Sequence, residues 1–469
     1  MLFHSLEFFF FACLFFLFWS LARERQNLRC ALLVVASFIF YGWWDWKYLF
    51  LILLSGSIDY WVGRWIVAFP HRKRMFLLLS IAGNLGILFS FKYLIWGLET
   101  AEQILGWAGH SLQLVQSVPA WIGVLPVGLS FYTFQSMSYT FDVYKGKLKP
   151  THDPLLFFSY LSMFPQLVAG PIVRASDIFD QLRSTAPISP DRFYSGFRLI
   201  VQGLFKKVVV ADNLAPFVDE AFAGAPGDYG IVFWWLAVTG FAIQIYCDFS
   251  GYTDIARGLA KWMGLDFRKN FNYPYLSMTL KEFWTRWHIS LSSWFRDYVY
   301  VPLGGSRRSE GRKYFNLWIT MLLSGLWHGA GWTFVVWGGL HALFVSAERR
   351  FARSGNHISL TRNLLTLALV WFAWAFFRAH SGEQALSIVG QMLNVASFSL
   401  QELDVPSGKC LALMILFFVH HIYVYRREKL GRSWAWVETD RSDAILTGIM
   451  LSLCFLIPGT GNVFIYFQF

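Results

Sequence analysis

His328 is the residue of this chain best placed to move a proton. Within Ser324-Gly325-Leu326-Trp327-His328-Gly329-Ala330-Gly331-Trp332 it is the one side chain that takes up a proton near neutral pH. An ionisable group in so apolar a stretch is costly, and so is a candidate for acid–base chemistry. Glycines on its C-terminal side would let a substrate approach the backbone closely. The competing reading, a histidine hydrogen-bonded to a neighbouring helix, is outweighed by this glycine bend. His288, in Phe283-Trp284-Thr285-Arg286-Trp287-His288-Ile289-Ser290-Leu291-Ser292, is the second candidate. By spacing alone it reads as a packing residue on the aromatic side of an amphipathic helix. His341 suits a structural hydrogen bond, and His420 and His421 an interfacial position. No metal set emerges: HExxH is absent and the histidines do not recur at i, i+4. Neither a G-x-S-x-G elbow nor a P-loop occurs, and covalent serine chemistry lacks support.

The elements that must position these residues follow from composition. Of 469 residues 56% are hydrophobic, 19% aromatic and 15% charged, against roughly 25% charged in soluble proteins. That excludes disorder, argues against a soluble enzyme, and predicts an all-α polytopic membrane protein. Its 40 basic and 29 acidic residues leave a net charge of +11. Five apolar stretches open the chain: Phe3–Leu21, Cys30–Trp44, Tyr48–Val67, Met75–Leu98 and Trp121–Phe141. The first is expected to remain as a membrane helix, because no basic residue precedes it as in a signal peptide. Arg23, Arg25 and Arg29 fill the first junction, His71 to Arg74 the third, and Lys145, Lys147 and Lys149 follow the fifth. The positive-inside rule then places the N-terminus outside the cytoplasm.

Pro154–Val173, broken by Pro165, Gly170 and Pro171, is expected to be re-entrant. Crossings follow near Ser195–Pro216 and Ile231–Phe249, then an amphipathic helix over Phe283–Tyr300. Phe315–Val345 has basic flanks, including Arg353, and should enter and return. Two arms of about 14 residues would reach only ~21 Å, which puts the Trp327-His328-Gly329 bend inside the membrane. Spans near Leu364–Phe377, Leu411–Tyr425 and Ala444–Ile457, with Arg426, Arg427, Lys429 and Arg432 between the last two, bring the count to about ten, both termini outside. No internal repeat supports an inverted-repeat transporter. Cys13, Cys30, Cys247, Cys410 and Cys454 are scattered and read as small hydrophobes. The basic loops satisfy topology, so nucleic-acid binding is not expected.

Several blocks together resemble the membrane-bound O-acyltransferase (MBOAT) family, in its bacterial branch typified by the membrane subunit of alginate O-acetylation. They are Phe164-Pro165-Gln166-Leu167-Val168-Ala169-Gly170-Pro171-Ile172, Tyr246-Cys247-Asp248-Phe249-Ser250-Gly251-Tyr252-Thr253-Asp254, Asn270-Phe271-Asn272-Tyr273-Pro274-Tyr275, Trp284 through Trp294, and Gly325-Leu326-Trp327-His328-Gly329. They run in the family's order over roughly Leu125 to His341, with a looser match outside. The resemblance implies N-terminal transmembrane helices in 1–150, a catalytic core in 151–350 and C-terminal transmembrane helices in 351–469. It implies that His328 is the essential histidine and His288 its partner, reversing the reading of His288 from spacing. His328 would be the general base and His288 an orienting or oxyanion-stabilising group.

The same resemblance implies acyl transfer from a cytoplasmic thioester, acetyl-CoA or an acylated carrier protein, with no bound cofactor or metal. The acetyl group would pass to an extracytoplasmic acetyltransferase partner for O-acetylation of an exported polysaccharide. The protein would sit among the lipids of a bacterial inner membrane. Asp248, Ser250, Tyr252 and Asp254 would line the donor funnel or form a hydrogen-bonded structural cluster. Arg286 and Arg296 would meet donor phosphates, or serve helix ends and topology, and Trp327 would line the substrate site. D-Alanyl transfer to teichoic acid and peptidoglycan acetylation are sister readings, and a transporter or flippase is the alternative of another class. The aromatic tail Ile465-Tyr466-Phe467-Gln468-Phe469 leans toward the polysaccharide branch.

Overall fold

A computed structural model of the chain describes residues 1–110, 112–351, 360–404, 408–430, 440–459, 461 and 464–465. Arg353, Arg432 and the tail from Tyr466 lie outside these residues, as do the side chains of Arg426, Arg427 and Lys429. The described residues are helical, without a strand, the architecture that satisfies backbone groups internally in an apolar surrounding. They form two compact units, Met1–Phe197 with Ala256–Arg268, and Arg198–Ile255 with Lys269–Phe469.

The first unit contains α1 (Leu6–Ala22), α2 (Gln26–Asp45), α3 (Leu49–Ala68), α4 (Lys73–Leu88), α5 (Leu94–Trp107), α6 (Leu129–Tyr144), α7 (Pro154–Leu161), α8 (Phe164–Leu167) and α9 (Ala175–Arg183). A buried carboxylate ties α3, α4 and α6 together. Asp59 accepts hydrogen bonds from Ser80, from Asn84 Nδ2 at 2.8 Å and from Thr140 Oγ1 at 2.7 Å. Where van der Waals packing must hold apolar helices together, such a fully satisfied polar group adds specificity. Arg29 is 3% exposed. Its Nη2 donates to the carbonyls of Leu182 at 2.6 Å and Arg183 at 3.0 Å, closing the C-terminus of α9. The 154–173 segment is broken as expected and buried: Phe164, Gln166 and Ala169 are at most 1% exposed. Helix α6 begins only at Leu129, after a short 3-10 turn at Ala120–Gly123, so the predicted Trp121–Phe141 span loses its first third. Pro126 and Gly128 stand in the gap; Gly128 has φ +76° and a virtual Cβ 2.7 Å from the Leu167 carbonyl oxygen, so only glycine fits.

Helices α10 (Pro190–Leu204) and α12 (Ile231–Trp262) contribute residues to both units. The second unit adds α11 (Asp212–Ala223), α13 (Leu280–Arg286), α14 (Ile289–Phe295), α15 (Glu310–His328), α16 (Trp332–Phe351), α17 (Leu360–Arg378), α18 (Gly382–Leu393), α19 (Gly408–Leu430) and α20 (Asp440–Leu456). Two expectations change here. The amphipathic helix is not continuous: α13 ends at Arg286, His288 takes a left-handed conformation with φ 42°, and α14 restarts at Ile289. The α15–α16 hairpin turns at His328 as expected, but its arms of 19 and 20 residues reach about 28–30 Å. Arm length therefore no longer argues that the bend is held at membrane depth.

Four stretches are long and apolar enough to cross a membrane by length and composition: Gln26–Ala68, Pro70–Trp107, Ile231–Trp262 and Leu360–Arg378. The first contains two expected crossings, α2 and α3. Leu6–Ala22, Gly408–Tyr423 and Ser442–Leu456 are apolar but shorter. Ten crossings are not obtained by this measure.

Candidate active site

Asn270 and the start of α14 shape the first half of the site. The main chain of residues 270–272 runs beside 286–290: Ile289 N donates to Asn270 O at 2.8 Å, and Asn272 N to Arg286 O at 2.9 Å. These bonds hold His288 in its left-handed conformation, which costs a non-glycine residue about 1–2 kcal/mol. The imidazole is fully buried. Its Nδ1 lies 3.3 Å from Asn270 Oδ1, and that oxygen also accepts Ser290 N at 3.0 Å. A backbone N–H can only donate, so the Asn270 atom facing both groups is its oxygen. His288 Nδ1 therefore carries the proton in the neutral ring, and Nε2 presents the lone pair. Phe249 of α12 packs edge-on at 4.7 Å, and Phe271 lies at 6.2 Å.

His328 is the last residue of α15 and is 3% exposed. Three rings meet it edge-on: Trp327 at 5.0 Å, Trp337 of α16 at 5.1 Å and Phe377 of α17 at 5.3 Å. Trp327 also lies 5.8 Å from the His288 ring, so one indole touches both imidazoles. The structure thus brings His288, Trp327 and His328 into one buried aromatic cluster.

Gly325, Gly329 and Gly338 have a packing role, whereas a Cβ on Gly331 would meet nothing closer than the Phe334 ring at 3.5 Å. A Cβ on Gly329 would lie 2.1 Å from the Phe334 ring, one on Gly325 2.2 Å from the Phe334 carbonyl oxygen, and one on Gly338 2.4 Å from the Met321 carbonyl oxygen. They let α15 and α16 close on each other, as small residues do between apolar helices.

Other sequence candidates fall elsewhere. Asp248, 3% exposed, pairs with Lys207 at 2.9 Å and accepts Ile465 N at 2.6 Å, while Lys207 also pairs with Asp212 at 2.8 Å. These contacts place Asp248 in a buried ion cluster. Ser250 is 1% exposed, its carbonyl accepting from Thr253 Oγ1 at 3.0 Å. Tyr252 packs on Phe464 at 5.2 Å, and Asp254 pairs with Lys206 at 2.7 Å. Arg286, only two residues before His288, turns to Glu282 and lies over the Tyr425 ring at 5.5 Å, while Arg296 pairs with its neighbour Asp297 at 2.7 Å. His341 makes no hydrogen bond among the described residues and packs edge-to-face with Trp337 at 4.8 Å and Trp284 at 4.9 Å, and stacks on Phe283 at 6.2 Å. The expected hydrogen bond is thus replaced by aromatic packing. His421 is buried at 3% exposure, enclosed by Tyr246, Tyr273 and Phe417. Asn270, Trp337 and Phe377 were missed: an amide before an aromatic was the one local signal for Asn270, and the rings carry none.

Among the described residues no group of three or more His, Cys, Asp or Glu could hold a metal ion, and the five cysteines are free thiols.

The model of the membrane-bound O-acyltransferase family matches residues 145–381, which hold both histidines. The chain is 35% identical to a probable alginate O-acetylase of Pseudomonas putida over 95% of both proteins. It is 38% identical to that of Pseudomonas aeruginosa over 81% of this chain and 72% of the relative. A peptidoglycan O-acetyltransferase of Helicobacter pylori is 31% identical over 93% of this chain and 91% of its own length. With that extent of similarity, the chain belongs to the membrane-bound O-acyltransferase family and is an acyltransferase of the membrane.

Proposed function

We propose that this protein transfers an acetyl group from a cytoplasmic thioester toward an exported polysaccharide such as alginate, with His328 as general base. The observation that carries the reading is the contact of both His288 and His328 with Trp327, 5.8 and 5.0 Å from its indole. A thioester is already activated, so the work left is to align it with a hydroxyl and take that hydroxyl's proton. His328 accepts the proton as the hydroxyl oxygen attacks the thioester carbon. The C–O bond forms, the C–S bond breaks, and the proton passes to the departing thiolate. With Nδ1–H donated to Asn270, neutral His288 offers Nε2 as an acceptor. That favours orienting the attacking hydroxyl, because oxyanion stabilisation needs a donor.

Acetyl is preferred to D-alanyl as the cargo, since the relatives named for O-acetyl transfer match 81–95% of this chain, whereas a teichoic acid D-alanyltransferase of Bacillus subtilis matches 48% at 28% identity. Peptidoglycan acetylation is the second reading, favoured by the near full-length Helicobacter pylori relative. The donor is acetyl-CoA or an acylated carrier protein. Transfer outside goes through an extracytoplasmic acetyltransferase partner, and the chain resides in a bacterial inner membrane with its N-terminus outside.

Proteoliposomes given radiolabelled acetyl-CoA or acetyl-carrier protein test the reading. The wild type should release label to the exported acceptor from one donor. His328→Ala should insert normally and lose at least about 10²-fold of that rate, and His328→Asn should not restore it. Full acetylation by well-inserted His328→Ala would remove His328 as base.

A further inference from the structure

The residues that follow α20 are anchored at three points of the second unit. Asn213 Nδ2 donates to the Ile457 carbonyl at 3.1 Å, and Gly459 N donates to the Val208 carbonyl at 3.0 Å. A Cβ on Gly459 would stand 2.4 Å from the Asp212 Cβ, so only glycine lets the chain come this close to α11. Further on, Ile465 N donates to Asp248 Oδ2 at 2.6 Å, while Asp248 Oδ1 takes the Lys207 ammonium at 2.9 Å. Phe464 and Ile465 are each 3% exposed. A buried carboxylate that serves an ammonium and a backbone N–H together is costly to bury, and it is satisfied in one geometry only.

Phe464 joins this anchor to the histidine cluster. Its ring lies 5.2 Å from Tyr252 and 5.9 Å from Phe249, both on α12. Phe249 is fully buried and directly follows Asp248 in the chain. Besides Phe464 it meets Phe271 at 5.0 Å and the His288 ring at 4.7 Å, the last at 88°. Hydrogen bonding at Nδ1 fixes one end of the imidazole, and ring packing fixes the direction in which its other end, Nε2, points. Phe249 holds that packing while Phe464 fills the space beside it, because close-packed rings shift when a neighbour of that volume is lost.

We propose that Phe464 is a positioning residue for acyl transfer. Seated by Ile465 on the Asp248–Lys207 pair, it sets Phe249, and through Phe249 it sets the aim of His288 Nε2. This inference rests on the reading of His288 as the group that orients the attacking hydroxyl. It gives the residues after α20 a part in the reaction and gives the buried ion cluster a purpose beyond holding α12.

The full chain in proteoliposomes, assayed below the Tm of each variant, tests it by two measurements. Phe464→Ala should lower kcat about tenfold with an unchanged donor KM. Diethyl pyrocarbonate, which acylates accessible imidazoles, should label His288 about tenfold faster in Phe464→Ala than in the wild type, by peptide mass spectrometry. His341, equally buried but packed on other rings, should stay as shielded as in the wild type. Should Phe464→Ala fail to fold, Phe464→Leu, which keeps most of the bulk, takes its place with a loss of about threefold. A wild-type kcat, a His288 as shielded as in the wild type, or an equal rise in labelling at His341 overturns the proposal. An inert wild type sinks the acyl-transfer reading, and the labelling of His288 against His341 then decides whether Phe464 holds this ring.

Discussion

Asn270 shows how much of a buried site can hang on one uncharged side chain. Its Oδ1 meets His288 Nδ1 at 3.3 Å and Ser290 N at 3.0 Å, so it sets the tautomer of the imidazole and the start of α14 together. Asn270→Ala should lower kcat about 10²-fold with little change in donor KM, since His288 is then free to turn while the rest of the site is untouched. Steady-state kinetics on proteoliposomes check this, and an equal loss in kcat and kcat/KM from misfolding would be exposed by a lowered Tm. His328 was legible as a proton-transfer residue because nothing else near it in sequence titrates. His288 was legible only through the family blocks, because helical spacing across residues 283–300 loses meaning where φ turns positive at His288. The partners of His328, Trp337 and Phe377, come from α16 and α17, and an aromatic in an aromatic-rich chain announces nothing.

At the scale of elements, the α15–α16 hairpin positions His328, and its closeness rests on glycine. Gly338→Leu should destabilise the protein by about 1–3 kcal/mol, because its Cβ would press the Met321 carbonyl at 2.4 Å. The neighbouring Gly339→Ala is the control: its Cβ would meet nothing closer than Leu322 at 3.8 Å, so its Tm should stay at the wild-type value. Thermal unfolding in detergent separates the two, and an equal Tm for both variants would remove the packing role. The hydrophobic stretches foretold most helices within a few residues, since burial or lipid exposure needs continuous apolar length. They did not foretell the breaks. Gly128 and His288 interrupt helices for reasons set by residues distant in sequence, Leu167 in one case and Asn270 in the other.

For the molecule as a whole, the placement of basic residues in alternate junctions, Arg23 to Arg29, His71 to Arg74 and Lys145 to Lys149, predicts an orientation with the N-terminus outside. In a Cys13→Ser background, a cysteine at Lys147 should be shielded from an impermeant thiol reagent added to intact cells, and one at Glu102 should react. The reverse labelling would overturn the orientation. Some basic residues also serve packing: Arg29 is buried and closes α9, and Lys207 binds Asp212 and Asp248. Sequence by itself determined that the chain is apolar, helical and of the O-acyltransferase family, and that His328 is exceptional, because composition, apolar run length and ordered blocks are properties of the linear chain. Only the tertiary structure decided that Trp327 touches both histidines, that Asp248 belongs to an ion cluster, and that Gly325 and Gly329 serve packing. Those outcomes depend on which side chains from separate helices share a few ångströms, and spacing along the chain does not encode that.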